Sequence, residues 1–368
     1  MTDDAGTVVT VDGQIPPEEL GVTTTHEHVI FDMSRGWYNQ PDSSYKRRMA
    51  NEPVTMENLG YVRQNMMAHR DNLLMDSFDE AVEEVSHFYN AGGDTIVDVT
   101  PKNTGGDPEQ VRAIARATGV QFVHGTSFYT RAAHPDRIDS MSVDDVEAEF
   151  VSDVRNGIDD TDVRAGLIGE IGVSGTIHEA EEKVLRAGAR AALRTGAPVN
   201  VHPPGGKPDM PPDNELDGSH ARSRWALEIM DIFEEEGLPP ERVVMSHMDA
   251  TLFEEIEYQK QLAERGPFLE FDLWGNENYL ASYGDGYPAD EWRIETVLEH
   301  IDSGYADQLV FAHDLCYKVL RKKYGGYGYS HILENIVPRL QRRGVDRDVI
   351  DRILVDNPRR AMTFSEPA

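Results

Sequence analysis

Residues 21–30 read GVTTTHEHVI. The β-branched run from Val22 to Thr25 predicts a strand, and it ends in two histidines one residue apart. Side chains on a strand alternate between faces, so His26 and His28 point the same way and Glu27 points the other. A doubly wound open sheet usually carries a glycine-rich phosphate turn after its first strand. Here that position holds His-Glu-His, which turns the expectation towards a closed barrel.

Seven further apolar runs follow: DTIVDVT (94–100), GVQFVHG (119–125), AGLIGEIG (165–172), APVNVH (197–202), RVVMSH (242–247), PFLEFDLWG (267–275) and QLVFAHD (308–314). Segments with helical spacing separate them. DPEQVRAIARATG places Pro108 in a first turn and Gly119 after the last, and IHEAEEKVLRAGARAALRTG stops at Gly196. Strand-then-helix repeated eight times predicts an α/β fold, a single (β/α)8 TIM barrel. No linker or low-complexity tract interrupts it, so residues 1–368 are expected to form one domain. Residues 35–75 form an insertion after strand 1, expected to act as a lid or interface element.

Composition narrows the partners. One cysteine, Cys316, excludes an internal disulfide and a Cys-rich zinc site, which fits a reducing compartment. No apolar run approaches the roughly 20 residues of a membrane helix. The N-terminal MTDDAGTVVT lacks a secretory pattern, so the expected location is the cytoplasm. The net charge of -31 disfavours nucleic acid and anionic lipid as partners. With 66 acidic residues spread along the chain, and 8 Lys against 27 Arg, a halophilic protein is expected.

Barrel enzymes build their sites at the C-terminal ends of the strands. Strand 1 ends in His26 and His28, strand 4 carries Glu170 within LIGEIG, strand 5 ends in His202, strand 6 in His247 and strand 8 in Asp314. Four imidazoles and two carboxylates suit zinc, manganese, iron, cobalt or nickel better than calcium or magnesium. Six ligands exceed the needs of one zinc and predict two divalent ions about 3.5–4 Å apart.

These motifs, TTTHEH, AGLIGEIG, APVNVH, VVMSHMD and LVFAHD, with the closing VDNPRRAM (355–362), resemble the phosphotriesterase-like family of the amidohydrolase superfamily over nearly the whole chain. The resemblance implies that His26, His28 and Asp314 bind a buried metal, that His202 and His247 bind a more exposed one, and that the strand-4 residue bridges them. Better-known members bridge with a carboxylated lysine. Strand 4 has no lysine here, and the nearest, Lys183, belongs to the next helix. Glu170 can do the same electrostatic work, as in the phosphotriesterase-related branch. It stands one residue late, so a local bulge is expected to turn it inward.

The implied reaction is hydrolysis by a hydroxide shared between the metals, with Asp314 as general base. Tyr129 after strand 3, Trp274 after strand 7, and Lys318 and Arg321 after strand 8 are the expected substrate-binding residues. The last two would form an anion clamp. A lactone or carboxylic ester, an anionic sugar acid among them, is the leading substrate. An N-acyl amide and a phosphotriester are the alternatives. A metal-holding binding protein is the non-enzyme reading, disfavoured because none of the six ligands is missing. The 35–75 insertion and the Gly-Tyr-rich loops are expected to build a homodimer contact.

Overall fold

The computed structural model describes residues 4–204, 222–250, 256–280 and 285–368. Eight strands form its central sheet: β1 (Thr23–Glu27), β2 (Thr95–Asp98), β3 (Gln121–Thr126), β4 (Leu167–Gly172), β5 (Val199–His202), β6 (Val243–Met245), β7 (Phe268–Phe271) and β8 (Leu309–Phe311). Each pairs in parallel with the next in chain order from β1 to β8. The ends of the sheet meet where the backbone N–H of Asp314 donates to the carbonyl of His26 at 3.1 Å. The expected barrel is therefore the observed architecture, nearly closed.

Parallel neighbours need crossovers, and the helices supply them. They include α1 (Phe78–Asn90), α2 (Pro108–Thr118), α3 (Val143–Arg155), α4 (Glu179–Thr195) and α5 (Arg222–Glu235). Local chemistry sets their ends. The Asp107 carboxylate accepts from the N–H groups of Glu109 and Gln110 at the start of α2. Gly196 closes α4 at φ 86°, a left-handed conformation that glycine adopts without a Cβ penalty. Apolar faces of α3, α4 and α5 pack on the outside of the sheet, where Val184, Leu185, Ile229 and Phe233 meet Ile168, Val199 and Val243.

The barrel interior is divided. One apolar cluster holds Val97, Val123, Leu167, Val244, Phe268 and Val310, with Val8 and Leu20 from the N-terminal segment and Met362 from the C-terminal one. The polar residues His28, His202, His247 and Asp314 gather at the C-terminal ends of the strands, where barrel enzymes build their sites. Residues of the 35–75 insertion pack with the segment after β8, with Val62, Met66 and Leu73 beside Leu315, Tyr317 and Val319. Among the described residues no helix is long and apolar enough to cross a membrane.

Candidate metal centre

All six expected ligands converge. Nε2 of His28 lies 3.4 Å from Oε1 of Glu170 and 3.3 Å from Oδ1 of Asp314. Nε2 of His26 lies 3.7 Å from Oε2 of Glu170. On the other side, Nδ1 of His202 lies 3.2 Å from Oε2 of Glu170 and 2.7 Å from Nε2 of His247. Glu170 belongs to two of the resulting clusters, His26–His28–Glu170 and Glu170–His202–His247, and His26, His247 and Asp272 form a third.

The expected bulge is present. The pairing of β4 with β5 shifts register between Ile168 and Ile171, which restores Glu170 to the interior. Gly169 permits this, because a Cβ there would lie 2.7 Å from the Asn200 carbonyl oxygen. Two other members have left-handed backbones, His247 at φ 59° and Asp314 at φ 44°. Such conformations cost about 1–3 kcal/mol each in a non-glycine residue. His247 is held by its N–H to Oδ2 of Asp272 at 3.0 Å.

The residues fit metal ions. Nε2 of His26 and Oε2 of Glu170 are buried and have no hydrogen-bond partner, which is rare for native polar atoms. Two imidazole nitrogens 2.7 Å apart need a proton or a cation between them. Burial lowers an imidazole pKa, yet Glu170, Glu270 and Asp272 together hold His26 well above the ordinary range. His28 is likewise raised, against burial, by Asp314 and Glu170. Both shifts reflect an interior with more negative charge than its own side chains neutralise, as a cation site requires. Nitrogen and carboxylate donors in this ratio suit divalent transition metals. The centre is a buried binuclear transition-metal site of the His/Glu kind.

A ring of supporting residues surrounds it. Nδ1 of His28 lies 3.0 Å from Oγ1 of Thr100, and Nδ1 of His247 lies 2.8 Å from Oδ1 of Asp272. Nδ1 of His26 lies 3.0 Å from Oε2 of Glu270. Sequence reasoning passed over Glu270 and Asp272. The available signal was two carboxylates on one face of the apolar strand FLEFD, the same spacing that marked His26 and His28.

The expected substrate residues divide. The Tyr129 hydroxyl lies 3.2 Å from Nδ1 of His202, so this residue reaches the centre. Trp274 is buried against Phe311 and lines a small pocket with His313, Leu315 and Tyr327. Lys318 and Arg321 do not form the expected clamp. Nζ of Lys318 is 2.7 Å from Oδ1 of Asp71, and Arg321 is fully buried with NH2 donating to the Val29 carbonyl. Lys318 thereby ties the segment after β8 to the 35–75 insertion, and Arg321 ties it to the residues just past β1, with Glu80 of α1 3.8 Å from its guanidinium. Residues 281–284 of the strand-7 loop lie outside the described residues.

A barrel carrying such a centre is a metal-dependent hydrolase of the amidohydrolase kind. The chain belongs to the phosphotriesterase family, whose pattern matches residues 6–362. It is 38% identical to the N-acetyltaurine hydrolase of Xenopus tropicalis over 99% of this chain and 100% of that one. It is 34% identical to the N-acetyltaurine hydrolase of Homo sapiens with the same coverage. Among solved structures, a resiniferatoxin-binding protein from Rhodobacter sphaeroides superposes with a TM-score of 0.89 and 37% identity, covering 97% of this chain and 95% of that one. A lactonase from Listeria monocytogenes superposes with a TM-score of 0.76 and 28% identity, covering 98% and 100%. The chain is a binuclear-metal hydrolase of the phosphotriesterase type.

Proposed function

We propose that the chain hydrolyses the amide bond of a small N-acylated amine with an anionic end, of the N-acetyltaurine type. The observation that carries this reading is its end-to-end similarity to N-acetyltaurine hydrolases. It moves the amide ahead of the lactone that the motifs first suggested. The lactone remains the second reading, supported by the Listeria neighbour.

In this reading His26, His28 and Asp314 would hold one ion, His202 and His247 the other, and Glu170 would serve both. When bound, the two ions supply Lewis acidity for the acyl oxygen and an acidified water. Asp314 is the general base. Its side chain is 15% exposed while the other ligands are 9% or less, so it is the ligand that incoming substrate meets. An amine leaves readily only when protonated, and Asp314 delivers the proton to the amide nitrogen. Tyr129, beside His202, orients the substrate with its hydroxyl. Zinc as resident metal, a cytoplasmic, salt-adapted protein and a homodimer belong to the same reading.

The test is reconstitution with zinc, manganese or cobalt in high salt, followed by parallel assays of N-acetyltaurine, lactones and an aryl phosphotriester. The amide should give the highest kcat/KM. A higher value for a lactone would reverse the order of the two readings.

A further inference from the structure

Glu270 is a carboxylate in the middle of the barrel, fully buried, and it belongs to neither cluster that shares Glu170. Its Oε2 has three neighbours: Nδ1 of His26 at 3.0 Å, Oγ of Ser246 at 2.7 Å and Nδ2 of Asn200 at 2.9 Å. The four residues stand on β1, β5, β6 and β7, or one residue beyond a strand end in the case of Ser246.

Proton accounting decides what this arrangement does. An ionised carboxylate only accepts, and an amide Nδ2 only donates. Ser246 has a single hydroxyl proton. Glu270 at 2.7 Å is nearer to it than Oδ1 of Asn200 at 3.2 Å, so the proton goes to Glu270. Oγ of Ser246, 3.1 Å from Nδ1 of His26, can then only accept from that nitrogen. Both neighbours of Nδ1 therefore require the proton to sit there. In the neutral ring the lone pair falls on Nε2, the atom that faces Glu170 without a hydrogen-bond partner. Oδ2 of Asp272 also approaches Nδ1, at 3.4 Å, but its carboxylate is engaged by His247.

The geometry points to Glu270 as the positioning residue of the buried half of the metal centre. Held by Ser246 and Asn200, it fixes the His26 tautomer and ring plane and makes Nε2 the more basic donor. A carboxylate behind a ligating imidazole typically carries about 10–100-fold in metal affinity. This inference concerns the metal and not the acyl substrate, so it stands or falls separately from the amide reading.

The experiment is metal binding without substrate. Wild type and Glu270→Gln are stripped, refilled with cobalt and titrated against a competing chelator, with the cobalt visible spectrum recorded. One of the two equivalents should weaken by about 10–100-fold with an altered spectrum, while the other keeps its affinity. In ¹⁵N-histidine-labelled protein with metal bound, His26 should show the Nδ1–H tautomer. Two equivalents bound with wild-type affinity and spectrum by a folded Glu270→Gln variant would overturn the assignment, leaving Glu270 a structural residue that affects melting alone. If that variant does not fold, Ser246→Ala carries the test. One weakened equivalent supports the role, and two unchanged equivalents overturn it.

Discussion

Glu27 holds Asp314 from behind. Its carboxylate accepts the backbone N–H of His313 at 3.0 Å and of Leu315 at 3.3 Å, the two residues that flank Asp314. It also meets Nδ1 of His313 at 2.6 Å. The residue between two metal-site histidines thus fixes the left-handed turn that aims Asp314 at them. Glu27→Gln replaces one acceptor oxygen with a donor and should destabilise the fold by about 1–3 kcal/mol. It should lower kcat by about 10²-fold through misplacement of Asp314, with KM little changed. Urea unfolding and steady-state kinetics separate the two effects, and an unchanged kcat would show that Asp314 needs no such support.

Glu170 is shared by both clusters, so its loss should affect both ions. Glu170→Ala is expected to hold fewer than two metals per chain and to lose at least about 10²–10³-fold in kcat. Metal analysis of the purified variant checks this directly. Two tightly bound ions with full activity would rule out a shared ligand.

Glu170, Asp314, Glu270 and Asp272 crowd one interior, and two divalent ions offset their charge. Chelation should therefore lower the melting temperature. The metal-linked part is about 2.7 kcal/mol when free metal stands at 100 times its dissociation constant. On the surface, the net charge of -31 repels itself, and the screening length falls from about 10 Å at 0.1 M salt to about 3 Å at 1 M. Melting should rise across that series, and a flat series would count against adaptation to high salt.

Lys318 and Arg321 are expected to act on stability. Lys318→Gln breaks the pair with Asp71, and it should leave KM for N-acetyltaurine within about twofold while costing about 1 kcal/mol. A large rise in KM would restore the anion-clamp role.

His300 supplies a pH dependence remote from the ligands. Burial is the main cause that lowers its pKa to about 4, and Nε2 donates to Oε1 of Gln259 at 2.7 Å. The unfolded chain binds a proton near pH 6.5, where the folded one does not. Stability is complete above that pH and is lost as the pH falls towards 4. The contribution between pH 7 and pH 5 is about 2 kcal/mol. His300→Asn should flatten that part of the urea midpoint profile relative to wild type. Parallel profiles would contradict the assignment.

The strand order and the six residues of the centre could be read locally. A period of two places His26 and His28 on one face, and each remaining ligand ends or interrupts an apolar run. Charge partners were not legible in this way. Lys318 looked free to clamp an anion because Asp71 stands 247 positions away. Nor do non-glycine residues announce a left-handed backbone, so the turns at His247 and Asp314 left no mark in the chain.

By itself, then, the sequence determined the barrel and the chemical kinds of ligand, because strand alternation and strand ends are properties of neighbours along the chain. Tertiary structure decided which nitrogen of each imidazole faces inward, that Glu170 serves both clusters, and that Glu27 and Glu270 support them. Those outcomes depend on a register shift and on hydrogen bonds between strands far apart in sequence, and only the closed barrel brings those strands together.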